Sequence, residues 1–237
     1  MMIRSIALSA MAVTLGLCAA DPPFAPLAVY YTFDTPPSAA LVTEMESEMG
    51  RILATAGVRV AWRDVASSRN GEDFRALVVF RFRGVCSFDQ DRDAIEPLEA
   101  PVGQPLAETD IADGEVLPFG AVDCEGVRRY IAPALKSVAR EEKNAVLGRA
   151  IARVSAHEIY HMLTGSEEHA RRGIARARHS REELTAPTFA FAQKETDWLR
   201  AWVAKPSGRL AEAAQEQGTN QAAGETAVPG SISSAGR

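Results

Sequence analysis

The sequence has few of the features that mark several large classes of protein. It carries 26 lysines and arginines against 31 aspartates and glutamates, which gives a net charge of −5, and no long run has charge of one sign. A nucleic-acid-binding protein is usually basic, so that class is not indicated. Beyond the first twenty residues no segment is long and apolar enough to cross a membrane. With 46% hydrophobic and 24% charged residues, the middle of the chain has the composition of a globular domain.

Cysteine is also scarce. If the first twenty residues are removed, only Cys86 and Cys124 remain. In an oxidising compartment an even pair favours a disulfide, and the alternative is two buried free thiols. Neither cysteine has a second one at metal-ligand spacing, so we do not expect a cysteine zinc site.

The first twenty residues have the pattern of an export signal. Arg4 provides a positive start, residues 6–17 form an apolar run, and small residues precede Asp21, where cleavage is expected. The alternative is a lipoprotein signal with Cys18 as the lipidated residue, but a large leucine stands where that signal needs a small residue. We therefore predict a cleaved signal peptide over residues 1–20, and a secreted or periplasmic protein with no stable membrane span.

The rest of the chain divides by composition. A proline-rich linker is expected over residues 21–27 and one domain over residues 28–204. Residues 205–237 are rich in small and polar residues and cannot bury enough apolar surface to fold, so we expect a disordered tail. About 180 residues in the domain suffice for a single sizeable core.

Hydrophobic patterning predicts an α+β domain in which a small mixed sheet packs against two main helices. Strands are expected over residues 27–33, 58–62 and 76–82. Helices are expected over residues 39–56, 124–135, 136–164 and 180–204, the last in two pieces broken at a proline.

Between the third strand and the following helix the chain is harder to interpret. Residues 87–115 are acidic, contain three prolines, and are expected to be irregular. The short apolar piece Val116–Phe119 contains Pro118, which restricts it to a sheet edge or an extended loop. As an edge strand it would line a cleft and pair with an extended peptide; a plain structural edge is the alternative.

The most informative feature is the clustering of the four histidines, which all lie between positions 157 and 179. His157 and His161 are four residues apart, so on a helix both lie on one face, one turn apart, and can reach a single ion. His169 follows Gly165, at which the helix is expected to end. A chain that turns at this glycine can bring a third imidazole to the same ion.

Glu158 lies between these two histidines on the apolar side of the same helix. At about 100° per residue its side chain falls within an apolar stripe. That stripe consists of Leu147, Ala150, Ile151, Val154 and Met162. A carboxylate in this position is costly unless something compensates it, and a water beside a metal would do so. Glu158 would then take a proton from that water as it attacks a carbonyl.

The pattern His157-Glu158-Ile159-Tyr160-His161, followed by Gly165 and His169, resembles the zincin metallopeptidases and their metzincin-like branch. The glycine comes four residues and the third histidine eight residues after His161, whereas the usual metzincin pattern has three and six. The resemblance implies a zincin-like catalytic domain, Zn²⁺ held by His157, His161 and His169, and Glu158 as general base.

Two further stretches bear on this resemblance. Residues 173–177 resemble the stretch that carries a methionine turn beneath the metal in metzincins, with Ala175 at the position of the methionine. Together with the motif helix, residues 113–119 and 122–124 resemble a group of exported bacterial proteins with the extended histidine spacing.

Several alternatives stay open at this point. A carboxylate, from Glu182 or Glu183, would be the third ligand if His169 did not bind. His179 is expected at the surface or on the substrate side, because a fourth protein ligand would close the site against catalysis. The sequence thus predicts an exported zinc peptidase with a peptide or protein substrate and an unassigned oligomeric state. The alternative is a non-catalytic exported binding module that holds zinc for structure.

Overall fold

The computed structural model describes residues 25–67, 74–88, 97–98 and 105–205. The predicted signal peptide (1–20) and, apart from its first residue, the predicted tail (205–237) lie outside these ranges. Within them, residues 25 and 26 open the first strand, two residues before its expected start at position 27. Pro26 is tolerated because it lies at the start of the strand, and β3 begins to pair with β1 only at Leu27. Its carbonyl oxygen accepts a hydrogen bond from the Arg75 amide at 3.0 Å.

Five strands form one sheet: β1 (Ala25–Phe33), β2 (Val58–Asp64), β3 (Ala76–Arg83), β4 (Ala107–Ala112) and β5 (Glu115–Asp123). Their order in space is β2-β1-β3-β5-β4. Neighbouring strands are parallel except for β4, which runs antiparallel to β5 at one edge. The predicted α+β class with a small mixed sheet is therefore confirmed.

The helices are α1 (Ala39–Ala54), α2 (Cys124–Ile131), α3 (Arg140–Thr164), α4 (Arg181–Thr185) and α5 (Gln193–Ala204), with short 3₁₀ turns at Val65–Ser67 and Ala132–Leu135. Helices α1 and α3 pack against each other and against the sheet, and the core lies between these layers. The predicted helix 124–135 changes to a 3₁₀ turn at Ala132 because Pro133 lacks an amide donor. None of the helices in the described ranges is long and apolar enough to span a bilayer.

Gly148 marks the point where α3 crosses α1. A Cβ atom at this position would lie 2.3 Å from the carbonyl oxygen of Leu41 and 3.1 Å from the amide nitrogen of Met45. Both neighbours are backbone atoms, which cannot rotate away as a side chain can. The bare glycine therefore allows the two helix backbones to touch.

Strand β4 corrects our expectation for residues 107–115, which were predicted to be irregular. A hairpin connects β4 to β5 through Asp113 and Gly114, which have φ values of 52° and 78°. Two positive φ values are what a two-residue turn of type I′ requires, and Asp-Gly is a preferred sequence for it. This dipeptide was the signal for the missed strand.

We expected Val116–Phe119 at a sheet edge or in an extended loop, and this expectation is corrected for the strand as a whole, although Val116–Pro118 pair with no residue of β3. These residues belong to β5, which lies between β3 and β4 and pairs with β3 from Phe119 onward. The edge strand is β4 instead. Proline is tolerated at position 118 because β3 begins to pair with β5 only after it.

A disulfide joins Cys86, just beyond β3, to Cys124, the first residue of α2. Both cysteines are buried, with 1% or less of their surface exposed. The predicted pairing of these two residues is confirmed, and the bridge ties α2 to the end of the central strand.

Candidate metal centre

Helix α3 presents His157, Glu158 and His161 in its last two turns. All three side chains are buried, with 8%, 7% and 5% of their surface exposed. The helix ends at Gly165, which has a φ of 62° and donates its amide to the carbonyl oxygen of His161 at 2.8 Å. This left-handed residue turns the chain back toward the histidines, as its position in the sequence predicted.

The loop after α3 brings His169 into the site. The Ala170 amide donates to the carbonyl oxygen of Ala175 at 2.8 Å, and the Ile174 amide donates to that of Ala190 at 3.1 Å. Gly173, with a φ of 74°, lies so close to residues 190–192 that a Cβ atom would come within 2.8 Å of their backbone. These contacts fold the loop under the end of α3.

The three predicted ligands converge. The ring centroids of His157 and His161 are 4.7 Å apart, those of His157 and His169 are 5.1 Å apart, and those of His161 and His169 are 4.9 Å apart. One nitrogen from each ring lies within 4.8 Å of the others. Three histidines in this arrangement could hold a metal ion, with His157 and His161 buried and His169 exposed.

Hydrogen bonds fix which nitrogens face the centre. His157 Nδ1 lies 2.8 Å from the carbonyl oxygen of Ile174, and His161 Nδ1 makes the same contact with that of Ser166. A carbonyl can only accept, so both Nδ1 atoms carry the proton and donate it. In the neutral rings each Nε2 atom is then unprotonated and carries a lone pair. The two Nε2 atoms are 3.0 Å apart.

Two lone pairs at this distance repel each other unless a positive charge lies between them. Two nitrogens bound tetrahedrally to one zinc ion would lie about 3.3 Å apart, so the observed spacing fits a shared cation. Burial lowers the pKa of His157 to about 3 and also lowers the pKa of His161. The imidazoles of His157 and His161 are thus held in the neutral form that metals require.

Glu158 lies beside the histidines with its carboxylate in a mainly apolar setting. Burial raises the pKa of Glu158 to about 7, and a hydrogen bond from Thr109 opposes this rise. In that bond Thr109 Oγ1 donates to Glu158 Oε2 at 2.6 Å. The group can therefore exchange a proton near neutral pH, as a general base must.

A cavity of about 690 Å³ opens onto these residues. Its lining includes His157, Glu158, His161 and His169 together with residues of the edge strand β4. From β4 the residues Ala107, Thr109 and Ile111 contribute to the lining. The far edge of β4 pairs with no other strand among the described residues.

The alternative ligands are used elsewhere. Glu183 accepts a hydrogen bond from the Ser180 amide as part of the capping box that begins α4, and it accepts another from Arg176. Glu182 does not belong to the group that converges on the centre. His179 lines the cavity, but its Nε2 donates to the carbonyl oxygen of Ile174 at 2.8 Å, so it stands beside the three ligands as expected.

Three participants could not be found from the sequence. The carbonyl groups of Ile174 and Ser166 orient the imidazoles. Every residue has a backbone carbonyl, so the residue type does not reveal which of them will act in this way. Thr109 lies 49 positions before Glu158. Its strand was missed, and the Asp113-Gly114 turn was the only local hint that a strand was present there.

Compared with known proteins, the chain matches no family model, and no curated protein is significantly similar to it.

Proposed function

We propose that this protein is a zinc-dependent peptidase that acts outside the cytoplasm. One observation carries the proposal: two buried Nε2 atoms face each other at 3.0 Å while both Nδ1 atoms donate to backbone carbonyls. An arrangement of this kind is incomplete without a cation. His169 would supply a third ligand to that cation, and Glu158 would supply a carboxylate for proton transfer.

Zinc is the metal that this donor set supports best. Imidazole nitrogen is a common zinc ligand, and catalytic zinc sites typically have three protein ligands and one open position. His157, His161 and His169 would hold the ion. When bound there, zinc would polarise a substrate carbonyl and make a water molecule more acidic.

Glu158 would carry out the proton transfers. Its Oε2 is held by Thr109, and its side chain borders the cavity next to the histidines. From there it would accept a proton from the attacking water and deliver it to the nitrogen of the leaving amine. Burial keeps His157 and His161 neutral. The hydrogen bonds from their Nδ1 atoms to Ile174 and Ser166 leave each Nε2 atom to bind the ion.

The edge strand β4 supports a peptide as the substrate. It borders the cavity along one side, and its outer edge pairs with no other described strand. An extended peptide could add to this edge through main-chain hydrogen bonds, which would place its backbone alongside Glu158. The affinity of such pairing depends little on the peptide's sequence.

The disulfide between Cys86 and Cys124 supports export, since such bonds persist in oxidising compartments. The predicted signal peptide agrees with this location. Export is tested by expressing the full chain in a bacterial host and sequencing the N-terminus of the exported protein. Cleavage close to residue 20 is the expected result, whereas retention of the whole chain in the cytoplasm would contradict it.

The Glu158→Gln variant tests the proposed reaction. It should bind zinc as the wild type does but cleave peptides about a thousandfold more slowly, since glutamine cannot accept the proton. Zinc content is measured by elemental mass spectrometry, and cleavage with a library of quenched fluorescent peptides with and without chelator.

The Glu182→Gln variant is the matched control, because Glu182 is an exposed carboxylate outside the group of converging histidines. It should cleave at the wild-type rate. Full cleavage by the Glu158→Gln variant would refute the proposed role of this residue. A wild-type protein that binds zinc and cleaves no peptide in the library would instead favour the binding module.

A further inference from the structure

We infer that Thr109 is a positioning residue that holds the carboxylate of Glu158 in a fixed orientation toward the metal centre. The inference rests on the proposed function and adds to it a residue from the edge strand. It begins from the hydrogen bond between Thr109 Oγ1 and Glu158 Oε2, which at 2.6 Å has the length of a bond from a hydroxyl to a charged oxygen.

This bond gives the two carboxylate oxygens of Glu158 different roles. Thr109 is the hydrogen-bond partner of Glu158 within the described ranges, and it occupies Oε2. Oε1 is left for a group in the cavity. A carboxylate held at one oxygen cannot spin about its terminal bond, so its second oxygen is already in place when a substrate enters.

The fold brings Thr109 to α3 by means of a glycine on the neighbouring strand. Thr109 pairs with Gly120 of β5. A Cβ atom at Gly120 would lie 2.8 Å from Met162 Cε and 2.9 Å from Phe80 Cε1. The same Cβ atom would lie 2.9 Å from the backbone oxygen of Glu108 in β4. The bare glycine therefore leaves room beside Thr109 both for the β4 backbone and for the Met162 side chain of α3.

The strand pairing changes immediately after Thr109. The register between β4 and β5 shifts between Thr109 and Ile111, so Asp110 has no regular partner. Such irregularities bend a strand and re-aim its side chains, and they are frequent next to active sites. Here the shift follows the one residue of β4 that contacts Glu158 by a hydrogen bond.

Two substitutions separate the hydroxyl from the bulk of the side chain. Thr109→Val keeps the shape and removes the donor, whereas Thr109→Ser keeps the donor and removes a methyl group. Thr196→Val is the matched control. Thr196 is buried, whereas Thr109 is partly buried, and the Thr196 hydroxyl donates to the carbonyl oxygen of Ala192, the residue that precedes α5. This bond lies outside the cavity.

The readout is the binding of acetohydroxamate to the cobalt-loaded protein, followed by the visible absorption of Co²⁺. This small probe offers two oxygens to the metal and a proton to an adjacent carboxylate, so its affinity reports the placement of Glu158 without any turnover. Thr109→Val should bind it about tenfold more weakly, as expected when a partner behind a metal centre is lost. Thr109→Ser and Thr196→Val should bind it as the wild type does.

Two further measurements exclude a merely structural role. The affinity for Co²⁺ itself should be the same in all four proteins, because among the described residues the hydroxyl of Thr109 bonds to Glu158 and to none of the histidines. In the Glu158→Gln background, Thr109→Val should have no further effect on acetohydroxamate affinity. Where a cleaved peptide has been identified, Thr109→Val should lower kcat about tenfold and leave KM unchanged.

The outcomes are distinguishable. Equal acetohydroxamate affinity for Thr109→Val and the wild type overturns the inference and leaves the peptidase proposal intact. A tenfold loss that serine rescues supports the inference even if no peptide in the library is cleaved. A wild-type protein that takes up no cobalt overturns the proposed function, and the inference fails with it.

Discussion

Helix α3 carries two buried polar clusters one turn apart, and they differ in how their charges are balanced. The first is centred on Arg153, which is fully buried and donates from Nε to Glu48 Oε1 at 2.8 Å. Its Nη1 donates to the carbonyl oxygens of Glu183 and Leu184 at 2.7 and 3.1 Å. The second is the group of His157, Glu158 and His161.

In the first cluster the buried charges of Arg153 and Glu48 cancel, and the additional cation, Arg51, is 42% exposed. Glu48 is also bound by Arg51 through two hydrogen bonds of 2.8 Å, and of the Arg153 guanidinium only Nη2 lacks a partner among the described residues. The second cluster brings together two lone pairs and a carboxylate, all rich in electrons, and within the described part of the chain no lysine or arginine forms an ion pair with Glu158. A buried cluster whose charges are compensated by other residues of the chain stabilises the fold. A buried cluster that lacks positive charge is instead a candidate site for a bound cation.

The largest expected effect is the response of stability to zinc. Zinc at a thousandfold above its Kd should raise the free energy of unfolding of the metal-free protein by about 4 kcal/mol. His157→Ala should abolish this gain, because the ion loses a buried ligand. The measurement is urea unfolding followed by circular dichroism, with zinc or with a chelator.

The Arg153 cluster supplies the control for that experiment. Arg153→Met should lower stability in zinc and in chelator alike, so the difference between the two conditions should persist. If the zinc response vanished in this variant as it does in His157→Ala, the two clusters would form one unit and the contrast between them would be wrong.

A smaller effect is expected from the Arg153 cluster itself. Arg153→Met should lower the free energy of unfolding by about 3 kcal/mol, because Glu48 stays buried after losing a charged partner. Arg149, one turn earlier on α3, forms a 2.9 Å ion pair with Glu44 that is 23% and 30% exposed. Arg149→Met should cost less than about 1 kcal/mol. Equal losses for the two variants in urea unfolding would show that burial does not separate these pairs.

The smallest effect concerns the response of the first cluster to acid. Burial pushes the pKa of Glu48 upward, but the hydrogen bonds from Arg51 and Arg153 outweigh it and hold this pKa below its ordinary value of 4.5. A carboxyl whose pKa is lowered by folding stabilises the protein above its unfolded pKa, and this contribution is lost as pH falls through the folded pKa.

The difference in unfolding free energy between the wild type and Glu48→Gln should therefore be constant above pH 5 and shrink below pH 4.5. Urea unfolding of both proteins at a series of pH values measures it. A difference that stayed constant down to pH 3 would mean that the ion pairs do not set the charge of Glu48.

The parts of this site that the sequence predicts are those set by local geometry. The spacing of His157 and His161 places both on one face of any helix. The glycine at position 165 indicates that the helix ends there and that the chain turns. The convergence of His169 follows from these two facts together with a loop of suitable length. Each of these predictions depends on residues within a dozen positions of one another.

The parts that the sequence does not predict depend on distant partners. Thr109 acquires its role from a hairpin, a shift in strand register and a close approach at Gly120, none of which is visible in its immediate neighbours. Arg153 was not singled out at all, because its partner Glu48 lies 105 positions earlier. Long-range packing decides such pairs, and a local pattern carries no record of them.

The contact at Gly148 gives the helix of the metal centre a sensitivity far from any ligand. This glycine lies nine residues before His157, which is about 13 Å along the helix axis. A methyl group there would force α1 and α3 apart at their crossing. Helix α3 would then tilt about the crossing point, and the imidazoles near its C-terminal end would be displaced. If positions were ranked for mutation only by their distance from the metal centre, Gly148 would be classed as neutral.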